Sequence, residues 1–405
     1  MRILVLSDPI WLQPPSGYSK IADNLCHLLA KDGHSVGHIP IGGGIKGTSM
    51  LKGHTMTRRD TLLLEGGQGG DIMSENVALG HYYDFKADFL LTAKDIYNFR
   101  TLPSHPVNWV PMVPIDHRPL SPQVARRLNT CFKVISITRF GKRELTKAGV
   151  PSTYIPLFVN TDIYKPIDKA QARATFGIPP DSFTILIAAM NRRRKMIPRL
   201  LKACKRFIEN NPDAKREIRV ILWTSITPEF YTEDGARGVI LGDVIERLGI
   251  HTHIFSPDPK LYNVGLEELR MPLLYNAADC ILCGSAEGFW LPGIEGGACG
   301  IPSVVVEAGA APEVTTGELA RVADWDVMNP VGYEQPLVDI DSMAEGIQKI
   351  YNGDPQAYAK QAREYSMKYD MVDVYFKYWK PFLAQIEPIL RPLVTKGGIK
   401  SWAIQ

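Results

Sequence analysis

Residues Glu287–Gly300 read Glu-Gly-Phe-Trp-Leu-Pro-Gly-Ile-Glu-Gly-Gly-Ala-Cys-Gly. Apolar runs flank this stretch at Asp279–Cys283 and Ile301–Val306, and each run predicts a short buried strand. Pro292 stands where a first helical turn would begin, and Gly300 stands where the helix would end. The predicted order is therefore strand, loop, helix, strand, which is the repeating unit of a parallel sheet covered by helices.

Two carboxylates flank the predicted loop. Glu287 follows the carboxyl end of the first strand, and Glu295 lies on the helix. The start of a helix attracts anions such as phosphate, because its N–H groups are free and its dipole is positive there. A carboxylate one or two turns into the helix can accept two hydrogen bonds from a vicinal diol such as a ribose. The pattern favours a nucleotide site, and the alternative is an ordinary strand–loop–helix unit with two solvated glutamates.

The same stretch resembles the donor-site motif of retaining GT-B glycosyltransferases of family 4, the group 1 glycosyl transferases. Besides the two glutamates, the positions that carry the resemblance are Phe289, Leu291, Pro292, Ala298, Cys299, Gly300 and Pro302. The resemblance implies that Glu295 binds the ribose of a nucleotide sugar and that Glu287 lies beside the transferred sugar. Trp290 stands where the family usually has a small residue, so the shape of the sugar pocket departs from the family pattern.

Composition sets limits on the kind of protein. The chain has 405 residues, of which 45% are hydrophobic and 22% charged, and this favours a globular protein of two domains. A net charge of +3 does not by itself argue for a nucleic-acid partner. We find no apolar run that approaches a membrane span and no signal peptide at the N-terminus. Six scattered cysteines favour a reducing cytoplasm. We expect a cytoplasmic location, with peripheral membrane association left open.

The N-terminal region predicts a strand at Met1–Ser7, a loop with Ser16 and Gly17, an amphipathic helix that ends near Gly33, and a strand at His34–Ile41. This order resembles the family's N-terminal half, and the resemblance implies that Gly17 faces the donor phosphate and the acceptor. A tight turn without a ligand is the alternative. The segment 42–70 that follows is predicted to be irregular, and it is either an acceptor-specificity loop or a solvated surface loop.

Strands and helices then alternate, which favours a parallel, doubly wound sheet. The predicted strands are Ala87–Thr92, Val107–Val113, Lys133–Ile137 and Thr153–Pro156, and the predicted helices include Ser121–Leu128 and Phe140–Ala148. Val113–Leu120 resembles a segment of a subset of these transferases, although that subset usually has glycine where this chain has His117. Asp116 and His117 follow a strand's carboxyl end, where polar groups face the crevice. We expect them to contact the acceptor or the transferred sugar, unless the segment is a simple turn.

A second motif, rich in basic residues, follows the predicted linker Lys165–Asp168. The strand Phe183–Ala189 runs into Asn191–Lys195, and a helix comes next. Arginine and lysine at a strand-to-helix turn suit a diphosphate, because the helix start favours anions and arginine can hold two oxygens at once. The resemblance implies an arginine and a lysine on the pyrophosphate. Lys195 matches the lysine, either Arg192 or Arg194 can be the arginine, and Met196 replaces the usual glycine. The alternatives are a solvated basic face or a nucleic-acid patch.

The remaining motifs predict no metal site. Cys280 and Cys283 lie three residues apart on a strand, so their side chains point to opposite faces. No second cysteine pair is present to complete a zinc site. Val374–Leu390 predicts a last helix, which in GT-B proteins crosses back onto the first domain. The residues beyond Arg391 are predicted to form a flexible tail.

Together these patterns predict an α/β protein of the GT-B class, with two Rossmann-like doubly wound domains, a cleft between them and a helix crossing back. The expected domains are residues 1–165 for the acceptor, residues 166–370 for the nucleotide sugar, and residues 371–405 for the crossing helix and tail. The candidate catalytic residues are Glu287, Asp116 and His117. The candidate donor-binding residues are Gly17, Arg192, Arg194, Lys195, Phe289, Trp290, Leu291 and Glu295.

The predicted activity is sugar transfer from a UDP- or GDP-linked donor, with retention of configuration, to a glycan, a lipid-linked acceptor or another acceptor. No cofactor or metal, no nucleic-acid partner and no integral membrane segment are expected. Two alternatives remain open from the sequence. One is a non-catalytic carbohydrate-binding protein with the same fold, and the other is a nucleotide-sugar epimerase.

Overall fold

The computed structural model of the chain describes residues 1–11, 15–42, 57–227, 238–327 and 332–391. The first half of these residues forms an eight-stranded sheet in the order β3-β4-β2-β1-β5-β6-β7-β8. All neighbouring strands in it are parallel except β3 and β4. The strands are β1 (Arg2–Ser7), β2 (Ser35–Pro40), β3 (Thr57–Arg58), β4 (Thr61–Leu63), β5 (Phe89–Ala93), β6 (Trp109–Val113), β7 (Ile135–Ser136) and β8 (Thr153–Tyr154).

The second half of the described residues forms a six-stranded parallel sheet in the order β11-β10-β9-β12-β13-β14, followed by an antiparallel hairpin, β15-β16. The strands of the sheet are β9 (Phe183–Ala188), β10 (Ile218–Trp223), β11 (Ile254–Phe255), β12 (Cys280–Cys283), β13 (Ser303–Val306) and β14 (Glu318–Ala320). The hairpin consists of β15 (Val322–Val327) and β16 (Glu334–Val338).

Helices connect the strands, as parallel neighbours require. In the first half they are α1 (Gly17–Lys31), α2 (Glu75–Asp84), α3 (Pro122–Leu128) and α4 (Arg139–Lys147). In the second half they are α5 (Lys169–Thr175), α6 (Ile197–Glu209), α7 (Leu241–Leu248), α8 (Pro259–Val264), α9 (Met271–Asn276), α10 (Leu291–Ala298), α11 (Ile340–Asn352), α12 (Pro355–Ser366), α13 (Met371–Val374) and α14 (Lys380–Ile386). Within the described residues, no helix is long and apolar enough to cross a lipid bilayer.

Both faces of each sheet are buried, which explains the continuous apolar runs of the sequence. In β1, Ile3 packs into the core on one face of the sheet, whereas Leu4 packs into the core on the other face. In β12, Cys280 and Cys283 likewise enter different cores, as their spacing predicts. Both thiols are buried and free. The prediction of two doubly wound sheets is therefore confirmed.

The end of the described chain returns to the first sheet. The crossing segment comprises α13, a π-helical turn at Tyr375–Trp379, and α14. Val374 and Trp379 lie in the same apolar core as Ile3. The Tyr375 hydroxyl and the Lys380 amine also reach the carboxylate of Asp32, at 3.1 and 2.8 Å. The predicted crossing helix is confirmed, although it starts at Met371, because Asp370 caps its first turn.

The prediction that residues 42–70 are irregular is wrong for one part of that segment. Thr57–Arg58 and Thr61–Leu63 form strands at the edge of the first sheet. Arg58 is held there because its guanidinium contacts both carboxylate oxygens of Asp23 on α1, each at 2.9 Å. Residues 43–56, with Lys46 and Lys52, lie outside the described residues, as does the predicted tail beyond Arg391. The predicted domain limits at residues 165 and 370 remain predictions.

The two halves contact each other directly. The carboxylate of Glu313, which follows β13, accepts hydrogen bonds from the backbone N–H groups of Arg139 and Phe140 at 2.6 and 2.8 Å. It therefore caps the start of α4, a helix of the first half. Gly288 lies so close to Pro114 that a Cβ atom at position 288 would come within 2.6 Å of the proline Cβ. These contacts fix the edges of a cleft between the carboxyl ends of the two sheets.

Trp379 tests whether the crossing segment is an integral part of the first core. Its side chain is fully buried, so Trp379→Ala is expected to lower the free energy of unfolding by about 3–5 kcal/mol. Phe376 on the same segment is 58% exposed, and Phe376→Ala is the matched control, with an expected change within about 0.5 kcal/mol. Urea unfolding followed by circular dichroism measures both. Equal effects of the two variants would show that the segment is only loosely attached.

Candidate functional site

Glu287 occupies the centre of the cleft. It lies in the loop between β12 and α10, and only 7% of the residue is exposed. The Ser285 hydroxyl donates to its Oε1 at 2.6 Å, and the Lys195 amine contacts the same oxygen. Arg194 Nη1 lies 3.5 Å from Oε2. Glu287 is therefore a buried carboxylate held by two cations and one hydroxyl.

The charges around Glu287 keep it ionised. Burial by itself raises the pKa of a carboxyl group, but Lys195 and Arg194 outweigh this effect, so the pKa of Glu287 lies below its usual value. Burial lowers the pKa of Lys195, and the charge of Glu287 opposes that shift only in part. The arginine stays charged at any physiological pH. The group therefore contains two cationic side chains and one carboxylate, and Asp116 of the first half adds a second carboxylate 3.9 Å from Arg194.

The basic turn after β9 brings the two cations to Glu287. Residues Arg193–Lys195 form a single 3-10 turn, and Met196 ends it with a φ of 56°, in the left-handed region. Glycine favours this region. Met196 therefore adopts the backbone conformation that is typical of the glycine it replaces. The Met196 side chain is buried, which contributes packing that offsets the strain. Of the predicted arginines, Arg194 reaches the cleft. Among the contacts within the described residues, Arg192 makes only backbone hydrogen bonds at this turn.

Asp116 and His117 follow β6 and face the same group from the first half. Arg194 Nη1 lies 3.9 Å from Asp116 Oδ2, so the arginine lies between the carboxylates of the two halves. His117 Nδ1 is 2.9 Å from Asp116 Oδ1, and His117 Nε2 is 3.4 Å from the backbone N–H of Ser121. Because Nε2 accepts from an N–H group, Nδ1 carries the ring proton and donates it to Asp116. Both ring nitrogens are thus engaged, and His117 positions Asp116.

Glu295 lies one turn into α10, as the sequence predicts, but it already has partners. The Lys20 amine, from α1 in the first half, contacts its Oε1, and the Tyr275 hydroxyl donates to its Oε2 at 2.7 Å. The amine also lies 3.1 Å from the Tyr164 hydroxyl. A carboxylate offers about four lone-pair positions, so two remain for a diol. The spacing of the sequence gave no sign of these two partners of Glu295.

The other loop residues take different positions. Phe289 and Leu291 are partly buried and pack against the cores of both halves. Gly17 lies opposite, where an added Cβ would be 3.1 Å from Leu291 Cδ1. Trp290 is 5% exposed and packs in the core of the second half, against Gly293. The bulky residue is therefore accommodated within the core, and its predicted role in donor binding stays a prediction.

Sequence reasoning missed a group of polar residues at the carboxyl ends of β1 and β5. Lys94 Nζ lies 2.6 Å from Asp8 Oδ1, and the amine also faces the Tyr18 ring at 4.9 Å. Burial and the nearby charge of Asp116 raise the pKa of Asp95, and Arg194 opposes this. These residues follow strand ends in the same way as Asp116 does, and that rule could have identified them. Among the described residues, no group of three or more histidine, cysteine or acidic side chains could hold a metal ion.

These features define a protein of the GT-B architecture: two facing Rossmann-like sheets, a crossing C-terminal helix, and a charged cleft between them. Solved structures match nearly the whole chain. Sucrose-phosphate synthase from Thermosynechococcus elongatus has a TM-score of 0.74 at 15% identity, over 96% of this chain and 99% of that chain. HepE from Anabaena, solved in complex with UDP-glucose, has a TM-score of 0.67 at 16% identity, over 95% of this chain and 100% of that one.

Curated relatives give a matching result over a shorter length. D-inositol 3-phosphate glycosyltransferase 2 of Catenulispora acidiphila is 28% identical over 152 residues, which is 37% of this chain and 33% of that protein. The similarly named enzyme of Mycobacteroides abscessus is 29% identical over 175 residues, which is 41% of this chain and 35% of that one. The alignments thus span about a third of these relatives. No known family profile matches the chain. The resemblance to GT-B glycosyltransferases is confirmed.

Glu287→Gln tests the charge balance of the cleft. The variant removes the charged partner of Lys195 and one of the two carboxylates beside Arg194, so the free energy of unfolding should fall by about 2 kcal/mol at pH 7. The folded-state pKa of Glu287 is depressed. Its contribution is therefore complete above the unfolded-state pKa and is lost as the pH falls through the folded-state pKa. The difference between wild type and variant should shrink as unfolding is measured from pH 7 towards pH 3.

Glu364→Gln is the control for this experiment, because its side chain is 67% exposed and its partner Lys360 is 3.9 Å away at the surface. Exposed pairs contribute little, so the expected change is within about 0.5 kcal/mol. A Glu287→Gln variant as stable as wild type at pH 7 would contradict the assigned charge balance.

Proposed function

We propose that this chain is a glycosyltransferase that moves a sugar from a nucleotide-sugar donor to an acceptor with retention of configuration. The observation that carries the proposal is the pair of cations, Arg194 and Lys195, gathered at Glu287 where the strands of the second sheet end. Ligands of open α/β sheets bind outside the carboxyl ends of the strands. Two cationic side chains at such an edge suit a diphosphate, which they can hold by charge-assisted hydrogen bonds.

The diphosphate is proposed to lie against Lys195 and Arg194, with Arg192 further out. In this position the two cations stabilise the negative charge that develops as the sugar–phosphate bond breaks, and they do so without a metal ion. Fixed cations in a partly buried site are effective because water does not screen them strongly. The independence from divalent metal remains a prediction.

The nucleoside is proposed to lie towards α10, where Glu295 accepts hydrogen bonds from the ribose hydroxyls. Phe289, Leu291 and Gly17 form the adjoining contacts between the halves. Lys20 holds one oxygen of Glu295 in the structure, so a bound ribose has to share that carboxylate with the amine. One neighbour is described in complex with UDP-glucose, which makes UDP the first nucleotide to test. GDP is the second.

The acceptor is proposed to enter from the first half, where Asp116 is positioned by His117. Glu287 then lies beside the transferred sugar, and Asp116 lies where an acceptor hydroxyl approaches. Two curated relatives carry the name D-inositol 3-phosphate glycosyltransferase, which makes an inositol phosphate one acceptor to test. A glycan or a lipid-linked acceptor fits the same proposal. Nucleotide release that depends on an added acceptor separates a transferase from an epimerase and from a non-catalytic binding protein.

Lys195→Ala and Glu295→Ala should weaken nucleotide binding in different ways. Lys195→Ala removes a contact to the diphosphate, so UDP or GDP should bind about 10- to 150-fold more weakly while the free nucleoside binds as before. Glu295→Ala removes a contact to the ribose, so affinity for nucleotide and nucleoside should fall by the same factor. Isothermal titration calorimetry with both ligands measures the two patterns.

Lys202→Ala is the matched control, because Lys202 is exposed on α6 and lies outside the cleft group. It should bind the nucleotide like wild type. If Lys195→Ala loses nucleoside and nucleotide equally, the diphosphate assignment is wrong. If Glu295→Ala binds both ligands like wild type, the ribose assignment is wrong.

A further inference from the structure

Lys20 reaches across the cleft from the first half to a residue of the proposed nucleotide site. It is the fourth residue of α1, and its amine contacts Oε1 of Glu295 on α10. The lysine side chain is 12% exposed and the glutamate side chain 4% exposed. The contact is therefore a largely buried ion pair that joins the two halves.

The helix that carries Lys20 does not explain why a lysine stands there. Ser16 caps α1, since its hydroxyl accepts a hydrogen bond from the backbone N–H of Ser19 at 3.0 Å. A positive charge in the first turn opposes the helix dipole, whose positive end lies at the helix start. The lysine is therefore unfavourable for α1 itself. The carboxylate of Glu295 accounts for a cation at this position.

The two oxygens of Glu295 are held from different halves. Lys20 of the first half contacts Oε1, and the hydroxyl of Tyr275, on α9 of the second half, donates to Oε2 at 2.7 Å. Burial and the charge of Glu295 raise the pKa of Tyr275, so this hydroxyl keeps its proton and remains a donor. The orientation of the carboxylate is thus fixed by one partner from each half.

The amine of Lys20 can serve a ligand as well. An ammonium group has three N–H donors. One faces Glu295, and a second reaches the hydroxyl oxygen of Tyr164 at 3.1 Å. Within the described residues these are the hydrogen-bond partners of the amine, so a third N–H group remains for a ligand. Lys20 can therefore hold Glu295 and donate to a bound molecule at the same time.

The chemistry of the pair favours a neutral hydroxyl over a phosphate. A hydroxyl donates one hydrogen bond and accepts two, whereas a carboxylate only accepts and an ammonium only donates. A ribose hydroxyl can therefore donate to Glu295 and accept from Lys20. Phosphate oxygens only accept, and the carboxylate repels their charge. The pair as a whole has no net charge, in keeping with a neutral ligand group.

We propose that Lys20 is a nucleotide-binding residue that completes the ribose site from the first half. It holds the carboxylate of Glu295 in place and donates an N–H group to a ribose hydroxyl. Recognition of the ribose then requires both halves, because the carboxylate comes from the second half and the ammonium from the first. This inference rests on the proposed function, since it adds a residue to the ribose side of that site.

The test compares UDP and GDP with their 2′,3′-dideoxy analogues, which lack both ribose hydroxyls. Isothermal titration calorimetry on the full chain measures the Kd of each ligand. Wild type should bind UDP or GDP at least about 10-fold more tightly than the corresponding dideoxy analogue. This ratio reports recognition of the ribose hydroxyls, because the base and the diphosphate are the same in both ligands.

Lys20→Met removes the N–H donors and keeps an unbranched apolar side chain. It should weaken binding of the natural nucleotide about 10- to 100-fold and change the affinity for the dideoxy analogue by less than about 3-fold. Lys20→Gln is the second variant, because its amide can still donate to Glu295 and supports the fold if Lys20→Met is unstable. It should show the same selective loss. Lys31→Met is the matched control, since Lys31 is exposed at the end of α1, and it should bind both ligands like wild type.

Several results would overturn the inference. An equal loss of affinity for both ligands would show that Lys20 only supports the fold, and tighter binding of the natural nucleotide by Lys20→Met would show that the lysine competes with the ribose. If wild type prefers the natural nucleotide and Lys20→Met keeps that preference, this inference alone fails. If wild type does not distinguish the two ligands, the ribose assignment of Glu295 fails with it. If wild type binds neither UDP nor GDP, the proposed function fails as well.

Discussion

The ion contacts between Glu287, Lys195 and Arg194 are the feature on which the rest of the cleft depends. A buried carboxylate is costly unless it is paired, and here one lysine and one arginine pair it. The loop after β12 and the turn after β9 belong to neighbouring strands, so the parallel order of the sheet brings the three residues together. The same arrangement places two cationic side chains at the edge of the sheet. A site for an anion thus follows from how the sheet is built.

The second constraint is that two halves must meet around this charge. Arg194 lies between Glu287 of the second half and Asp116 of the first half. Lys20 and Glu295 form a second ion pair across the cleft, and Glu313 caps α4 from the opposite half. These contacts are polar, in contrast to the apolar packing of the crossing segment. Polar groups can exchange one hydrogen-bonding partner for water or a ligand group at a small net cost in free energy. The polar cleft surfaces are therefore better suited to substrate binding than an apolar interface would be.

Much of this could be predicted from the sequence, because local signals decided it. Apolar runs and turn residues fixed the strands and helices, and the spacing from Glu287 to Glu295 placed one carboxylate in a loop and the other one turn into α10. Met196 is an example of a residue that the sequence explains only in part. The sequence shows that methionine replaces the usual glycine, but only the structure shows that Met196 has the left-handed backbone conformation.

The contacts that the sequence did not predict are those between distant residues. Lys20 and Glu295 are 275 positions apart, and no periodicity connects them. Tyr333 lies beside a hairpin that carries no motif, yet its ring stacks on His117. Trp290 packs in the core of the second half against Gly293, and the motif gave no sign of this packing. In each case the neighbours of a residue were decided by how the two sheets face each other, which local patterns do not record.

A crystal structure of the chain with bound UDP or GDP would show whether the cations at Glu287 hold a nucleotide's diphosphate. We expect the β-phosphate to contact Lys195 Nζ and the Arg194 guanidinium, Glu287 to lose its contact with at least one of these two cations, and the ribose hydroxyls to reach Glu295. A nucleotide bound elsewhere, with both cations still on Glu287, would contradict this expectation.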